Sequence, residues 1–307
     1  MASPSTPTVP KPRAARKGVK TTLAKSILII SPGAGSMTPE IEKQLRKAFA
    51  DGLVVEFNPT EDFRELITAD ARVVVAGGDG TIGYVARALI DSHNTLGIIS
   101  MGTYNNFAKA LGMPATVTAA INVIQKGVPH QITVGRVNGE PFLEAAAIGM
   151  FGAAIELGEA IKDWSFGELG RKLSIVTGAR RFRYEITGDL KGHGMAMSLV
   201  FANTPSIGAA LPVAQKTPID RFLELAVHAG ATRSDIVGRI LSGKILSHKD
   251  HPVEMGFRFR EVTITTKPQM EVFADNLKVG KTPATITAEV GALNILLQKK
   301  VAQPRAR

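Results

Sequence analysis

Short apolar runs alternate with amphipathic stretches through the first part of the chain. Residues 27–30, 53–57, 72–76 and 96–100 read as buried strands, each too short for a helix. Residues 39–50 put Ile41, Leu45, Ala48 and Phe49 on one face and Glu and Lys on the other, as a helix lying on a sheet does. A short helix is expected at 63–68 and a longer one at 84–91. Another at 107–111 stops at Gly112, with Pro114 beyond, and a last one covers 116–125. Strand and helix thus alternate from Lys25 to about Lys126, which predicts an α/β domain with a doubly wound parallel sheet. Beyond Lys126 the period falls to two. Residues 131–137, 142–147, 196–202, 223–229, 261–266, 269–274 and 284–289 read as strands, many joined by short turns. That texture predicts an antiparallel, sandwich-like β domain. Helical stretches at 153–162, 169–180 and 234–241 interrupt it.

These patterns divide the chain into a basic tail (1–24), an α/β domain (25–126), a β-rich domain (127–300) and a short end (301–307). The last strand is free to return to the first domain. The tail mixes Pro, Ser, Thr and Ala with Lys11, Arg13, Arg16, Lys17 and Lys20 and has no apolar period, so disorder is expected there.

Composition narrows the chemistry. The 307 residues include no cysteine, which excludes disulfides, thiolate catalysis and Cys-ligated zinc. No apolar run approaches the ~20 residues that span a bilayer. A formal net charge of +10 favours anionic partners such as nucleotides or acidic membrane surfaces. Aromatics are only 6% and no nucleic-acid motif is present, so nucleic acid is not an expected partner.

The chemistry-bearing residues cluster at strand ends. Val73–Val74–Val75–Ala76 runs into Gly77–Gly78–Asp79–Gly80–Thr81, a strand, a tight turn and a helix start. Glycines there let backbone N–H groups approach a phosphate, and a helix N-terminus favours anions. An aspartate in such a place calls for a cation, which suggests a nucleotide with Mg²⁺ and Asp79 as its ligand. Two further glycine loops follow strands of the same sheet: Ser31, Pro32, Gly33, Gly35 and Ser36 after the first, and Gly102, Thr103 and Asn105 after the fourth. Three such loops at successive strand ends predict one shared nucleotide site.

Taken together, Pro-x-x-Gly-Ser, Gly-Gly-Asp-Gly-Thr and the block from Gly102 to Pro114 resemble the catalytic domain of the diacylglycerol kinase and sphingosine kinase family. The likeness is to its soluble bacterial lipid kinases. It continues through 134–144, 201–208, 220–224 and 272–283. The resemblance implies ATP- and Mg²⁺-dependent phosphorylation of a lipid hydroxyl, diacylglycerol or a sphingoid or ceramide alcohol. It implies a cytoplasmic enzyme peripheral to the anionic inner leaflet, and a homodimer is compatible with it. By the same resemblance Asp79 and Asp275 are the catalytic candidates, and Asp220 is a candidate ligand of a structural Mg²⁺; Asp275 reads equally as a hairpin-turn residue and Asp220 as a solvated turn residue. The stretch 171–183 beside Trp164 is a candidate membrane face.

Three carboxylate positions of the family pattern are neutral here, and Ser31 stands where the family usually has Asn. Tyr84, Thr133 and Leu277 stand where the resemblance expects carboxylates, and Leu277 replaces the glutamate assigned as proton acceptor. Arg221 replaces the glycine after Asp220. Two rival readings therefore stand beside the lipid kinase: a nucleotide- or lipid-binding pseudokinase, and a soluble-substrate kinase of the NAD kinase type. Gly280–Lys281–Thr282 lacks the earlier glycine of a phosphate loop and reads as a hairpin. His248 and His251 flank Asp250 without zinc spacing.

Overall fold

The computed structural model describes residues 23–150, 181–207, 211–228 and 253–299. The expected disorder of the tail (1–22), the helical stretches at 153–162, 169–180 and 234–241, the Trp164 face, the His248–His251 pair and the end after 299 lie outside the described residues. The chain divides into two units: Met1–Ile132 with Gly291–Arg307, and Thr133–Val290.

Unit 1 runs β1 (Ala24–Ile30), α1 (Pro39–Ala48), β2 (Leu53–Glu56), a 3₁₀ turn (Phe63–Leu66), β3 (Ile67–Gly77), α2 (Asp79–Leu89), β4 (Thr95–Ser100), α3 (Asn106–Ala110) and α4 (Val117–Lys126). Next comes β5 (Val128–Val137), within which the boundary between the units falls. The strands lie in the order β2-β1-β3-β4 and all pair in parallel. On one face Leu28, Ile30, Val74, Ala76 and Ile99 pack with Leu45, Phe49, Ala120 and Ile124. The alternate residues Ile27, Ile29, Val73, Val75 and Ile98 are buried as well, which is why these strands read as unbroken apolar runs. The expected doubly wound sheet is present. The helix expected at 63–68 is not: only a 3₁₀ turn forms, capped by Asp62 Oδ1 on the Arg64 N–H at 3.1 Å. The chain then extends early into β3, whose Ile67 and Ala71 are buried.

Unit 2 is antiparallel. It contains β6 (Glu140–Phe142), β7 (Ala145–Gly149), β8 (Phe182–Gly188), β9 (Gly192–Ala196), β10 (Ser198–Ala202), β11 (Ser206–Ile207), β12 (Leu211–Pro212), β13 (Leu223–His228), β14 (Val253–Phe259), β15 (Glu261–Lys267), β16 (Glu271–Ala274) and β17 (Leu277–Lys281). The final strand, β18 (Ala284–Leu297), starts here beside β15, and its later residues pair in parallel with β4 of unit 1. One sheet of this unit has the order β14-β13-β10-β7-β16-β17. A second face is built from β15, β8 and β9 with the start of β18. Their inward residues, among them Phe142, Phe182, Phe201, Phe259, Val262, Ile264 and Ile286, form one core. Each such side chain contributes roughly 1.5–3 kcal/mol by leaving water.

Two expected strands are revised. The run 142–147 is broken at Leu143–Glu144, because the N–H groups there turn to a side chain rather than to a neighbouring strand. The run 196–202 is the end of β9 and all of β10, parted at Met197.

Candidate active site

Because β1, β3 and β4 are parallel neighbours, their carboxyl ends share one edge, and the three glycine loops meet there. Ser31 N–H donates to the Ala76 carbonyl at 2.9 Å. Ser36 donates its N–H at 3.2 Å and its hydroxyl at 2.9 Å to the Met101 carbonyl. Met101 N–H in turn donates to the Gly77 carbonyl at 2.8 Å. Sequence reasoning placed Ser31 and Ser36 on one loop and Gly77 and Gly102 on two others at the same sheet edge; the structure brings these loops into contact.

The contact distances explain two of the glycines. A Cβ on Gly77 would sit 2.8 Å from Thr81 Cβ and 3.3 Å from Ser31 Cβ. A Cβ on Gly102 would sit 2.9 Å from Asn105 Oδ1 and 3.0 Å from Gly78 Cα. Gly33 and Gly80 differ: a Cβ on either would meet nothing within 4 Å. They are exposed, as are Pro32, Gly35, Ser36 and Thr103.

Asp79 is the first residue of α2, and Gly78 caps that helix in an extended conformation without a side-chain bond. Its carboxylate is asymmetric. Oδ2 accepts the Asn105 N–H at 2.8 Å, whereas Oδ1 is buried with no hydrogen-bond partner. Asn105 is shaped for this by a left-handed backbone (φ 53°, ψ 41°). Its side chain closes the loop on itself, accepting from Gly102 N–H at 2.9 Å and donating to Gly102 carbonyl at 2.8 Å. A buried carboxylate oxygen without a donor is costly unless a cation or donor arrives with a ligand. This chemistry fits an Mg²⁺–phosphate group at Asp79.

Tyr84, one turn further along α2, is buried. Its hydroxyl donates to the Pro59 carbonyl at 2.9 Å and its ring meets Phe57 edge-on, 5.3 Å between centroids. Burial raises its phenol pKa, with Asp62 adding to the rise and Arg64 opposing it. This residue packs the helix against the 57–59 segment.

In unit 2, Asp275 occupies a left-handed turn position (φ 50°) between β16 and β17. Oδ2 accepts the Leu143 N–H at 2.9 Å; Oδ1 accepts those of Glu144 at 2.8 Å and Ala145 at 3.2 Å. Its own N–H donates to the Ala145 carbonyl at 2.8 Å. This is the side chain that breaks the strand expected at 142–147. Leu277 begins β17 on the far side of the same turn.

Thr133 and Asp220 are joined. The Thr133 hydroxyl donates to the Asp220 carbonyl, and Asp220 Oδ2 accepts the Thr217 N–H at 2.9 Å. Beside them lies a residue that sequence reasoning missed. Lys216 is 1% exposed, and its ammonium donates to Asn203 Oδ1 at 2.9 Å and to the Phe222 carbonyl. Asn203 Nδ2 then bonds the Thr133 carbonyl at 2.9 Å and the Leu143 carbonyl at 3.0 Å. Nothing in the local sequence marks Lys216, because a lysine among polar loop residues reads as solvated. Among the described residues no group of three His, Asp or Glu side chains is placed to hold a metal ion. Among them, too, no helix is long and apolar enough to cross a membrane.

A parallel-sheet α/β domain followed by an antiparallel β-rich part is a fold shared with a bacterial diacylglycerol kinase. The crystal structure of a diacylglycerol kinase from Bacillus anthracis superposes with a TM-score of 0.67 at 22% identity, covering 91% of this chain and 99% of that one. Residues 25–137 match the family model of the diacylglycerol kinase catalytic domain, and the resemblance read from the motifs is borne out. A diacylglycerol kinase of Bacillus subtilis is 42% identical over 80 residues, 25% of this chain and 26% of that protein. A probable YegS-like lipid kinase of Yersinia pestis is 33% identical over 140 residues, 42% of this chain and 47% of that protein. The match to these curated relatives therefore spans about a quarter to a half of their length.

Proposed function

We propose that this protein is an ATP- and Mg²⁺-dependent lipid kinase that transfers the γ-phosphoryl group to a lipid hydroxyl, with diacylglycerol as the first substrate to test. The observation that carries the reading is the buried, unpartnered Oδ1 of Asp79 at the meeting point of three glycine loops. The match of residues 25–137 to the diacylglycerol kinase catalytic domain supports it.

In this reading Asp79 holds Mg²⁺, which when bound neutralises charge on the transferred phosphoryl group. Gly33 and Gly80 leave room for the phosphates to approach, and the first turn of α2 favours their charge. Asn105 fixes one oxygen of Asp79 and so aims the other. Asp275 holds the corner at Leu143–Ala145 rather than accepting a proton, since its two oxygens already take three backbone N–H groups. Attachment to the anionic inner leaflet of the cytoplasmic membrane is part of the same proposal, consistent with the net charge of +10.

A pseudokinase is the competing reading, favoured by the structural duties of Tyr84, Thr133 and Asp275. Transfer of labelled γ-phosphate from ATP into a total bacterial lipid extract separates the two, with Asp79→Ala as control. A labelled lipid that disappears with the variant supports the kinase. ATP binding by calorimetry without any labelled lipid supports the pseudokinase. With NAD added to the same assay, label in NAD rather than in lipid would instead favour the soluble-substrate kinase.

A further inference from the structure

Lys216 is the most deeply buried charged side chain described in unit 2. A buried ammonium is expensive unless oxygen atoms replace its water. Here they do: Asn203 Oδ1 at 2.9 Å and the Phe222 carbonyl accept from it. The charges around it are Asp220, Glu224 and Arg258. Glu224 is itself buried, accepts the Gln215 N–H at 2.8 Å and meets Arg258 at 3.4 Å. Asp220 spends Oδ2 on Thr217 N–H and its carbonyl on Thr133. A main-chain carbonyl, an amide oxygen and nearby carboxylates are the donor set of a hard cation. The residues at Asp220 therefore do not fit a metal ion in addition: the ammonium already takes Asn203 Oδ1 and the Phe222 carbonyl, Asp220 Oδ2 already accepts the Thr217 N–H, and the next residue, Arg221, is a further positive charge.

We propose that the segment from Val213 to Phe222 folds around a cation that the chain supplies itself, the ammonium of Lys216, in place of a bound divalent ion. The consequence reaches beyond the loop. By fixing Asn203, Lys216 orients the amide that bonds the Thr133 and Leu143 carbonyls. Leu143 also donates its N–H to Asp275. Lys216 is thus a positioning residue for the corner between β6 and β7.

The test uses thermal unfolding of the full chain at pH 6, with three proteins: wild type, Lys216→Ala and Asp220→Asn. Removing one partner of a buried charged cluster should lower the melting temperature of Lys216→Ala by roughly 6 °C or more. Ethylammonium chloride should restore a substantial part of that loss, and choline chloride at equal ionic strength should not, because choline has no N–H to donate. Mg²⁺ binding at Asp79 shifts the melting of wild type and Asp220→Asn equally; a divalent site at Asp220 makes the wild-type shift larger. Equal shifts, together with amine rescue, support the resident ammonium. A larger Mg²⁺ or EDTA response in wild type than in Asp220→Asn overturns it, and so does Lys216→Ala melting like wild type. If Lys216→Ala does not fold, the comparison of wild type with Asp220→Asn still decides.

Discussion

The main-chain N–H of Asn105 donates to Oδ2 of Asp79 at 2.8 Å, while Oδ1 of the same carboxylate lies buried without a partner. The protein thus satisfies one oxygen and holds the other in reserve, a local cost consistent with a ligand site. Asp79→Asn keeps an acceptor for Asn105 and removes the charge. Phosphoryl transfer should fall by at least about 100-fold. The unliganded protein should be as stable as wild type or more so, by up to ~1–2 kcal/mol. An activity assay and a thermal melt on the same preparation check both. Wild-type activity, or collapse of the fold, would count against the assignment.

The glycine loops offer a paired comparison. At Gly77 and Gly102 a Cβ would collide with Thr81 and with Asn105 and Gly78. Alanine at either position should cost ~1–3 kcal/mol of stability and disrupt the convergence of the loops. At Gly33 and Gly80 a Cβ meets nothing within 4 Å. Alanine there should not lower the melting temperature, and at Gly80, inside α2, should raise it slightly; on the proposed reading it should weaken ATP binding, because the added methyl would occupy space that the phosphates need. Calorimetric titration of ATP into the four variants tests this. Unaltered affinity in both Gly33→Ala and Gly80→Ala would move the nucleotide away from these loops.

What could be read from the sequence follows the range of the interactions. The strand–loop–helix units around Ser31, Gly77 and Gly102 are local, and parallel neighbours put their loops on one edge, so the convergence of the three loops was legible. The partners of Asp275 are 130–132 residues away, and no local pattern predicts that its carboxylate ends a strand at Leu143. Lys216 and Asn203 are only 13 residues apart, yet a buried lysine has no signature distinct from a solvated one. β8 does alternate, with Phe182 and Ile186 buried between exposed Arg183, Glu185 and Thr187. The basic run before it obscures that period by reading as a helix.

Asp275 separates a structural carboxylate from a chemical one. Replacement by Ala strips acceptors from three backbone N–H groups and should cost several kcal/mol, at roughly 1–3 kcal/mol each. Asp275→Asn keeps one oxygen and should cost less. If the residue only holds the corner, activity in Asp275→Asn should fall less than about 10-fold, with no change in the pH–rate profile. A loss of roughly 100-fold or more, together with disappearance of the acidic limb of that profile, would mark a proton acceptor instead.

The two buried bases described in unit 2 give stability a pH dependence of defined sign. Burial pushes the Lys216 ammonium down to about 7 from 10.5, with Asp220 and Glu224 opposing the shift and Arg258 adding to it. Burial pushes His228 down to about 4 from 6.5. In each case the unfolded chain binds more protons than the folded one between the two values, so stability rises with pH across that window. For His228 the gain falls between pH 4 and 6.5, and for Lys216 between pH 7 and 10.5. Below its folded value each group is charged in both states and its destabilising contribution is complete and flat. Urea unfolding from pH 4 to 10 should therefore show two rising segments. Lys216→Met should abolish the upper one and leave the lower one, and His228→Phe should do the reverse. A Lys216→Met protein that still gains stability between pH 7 and 10 would place the upper transition on another group.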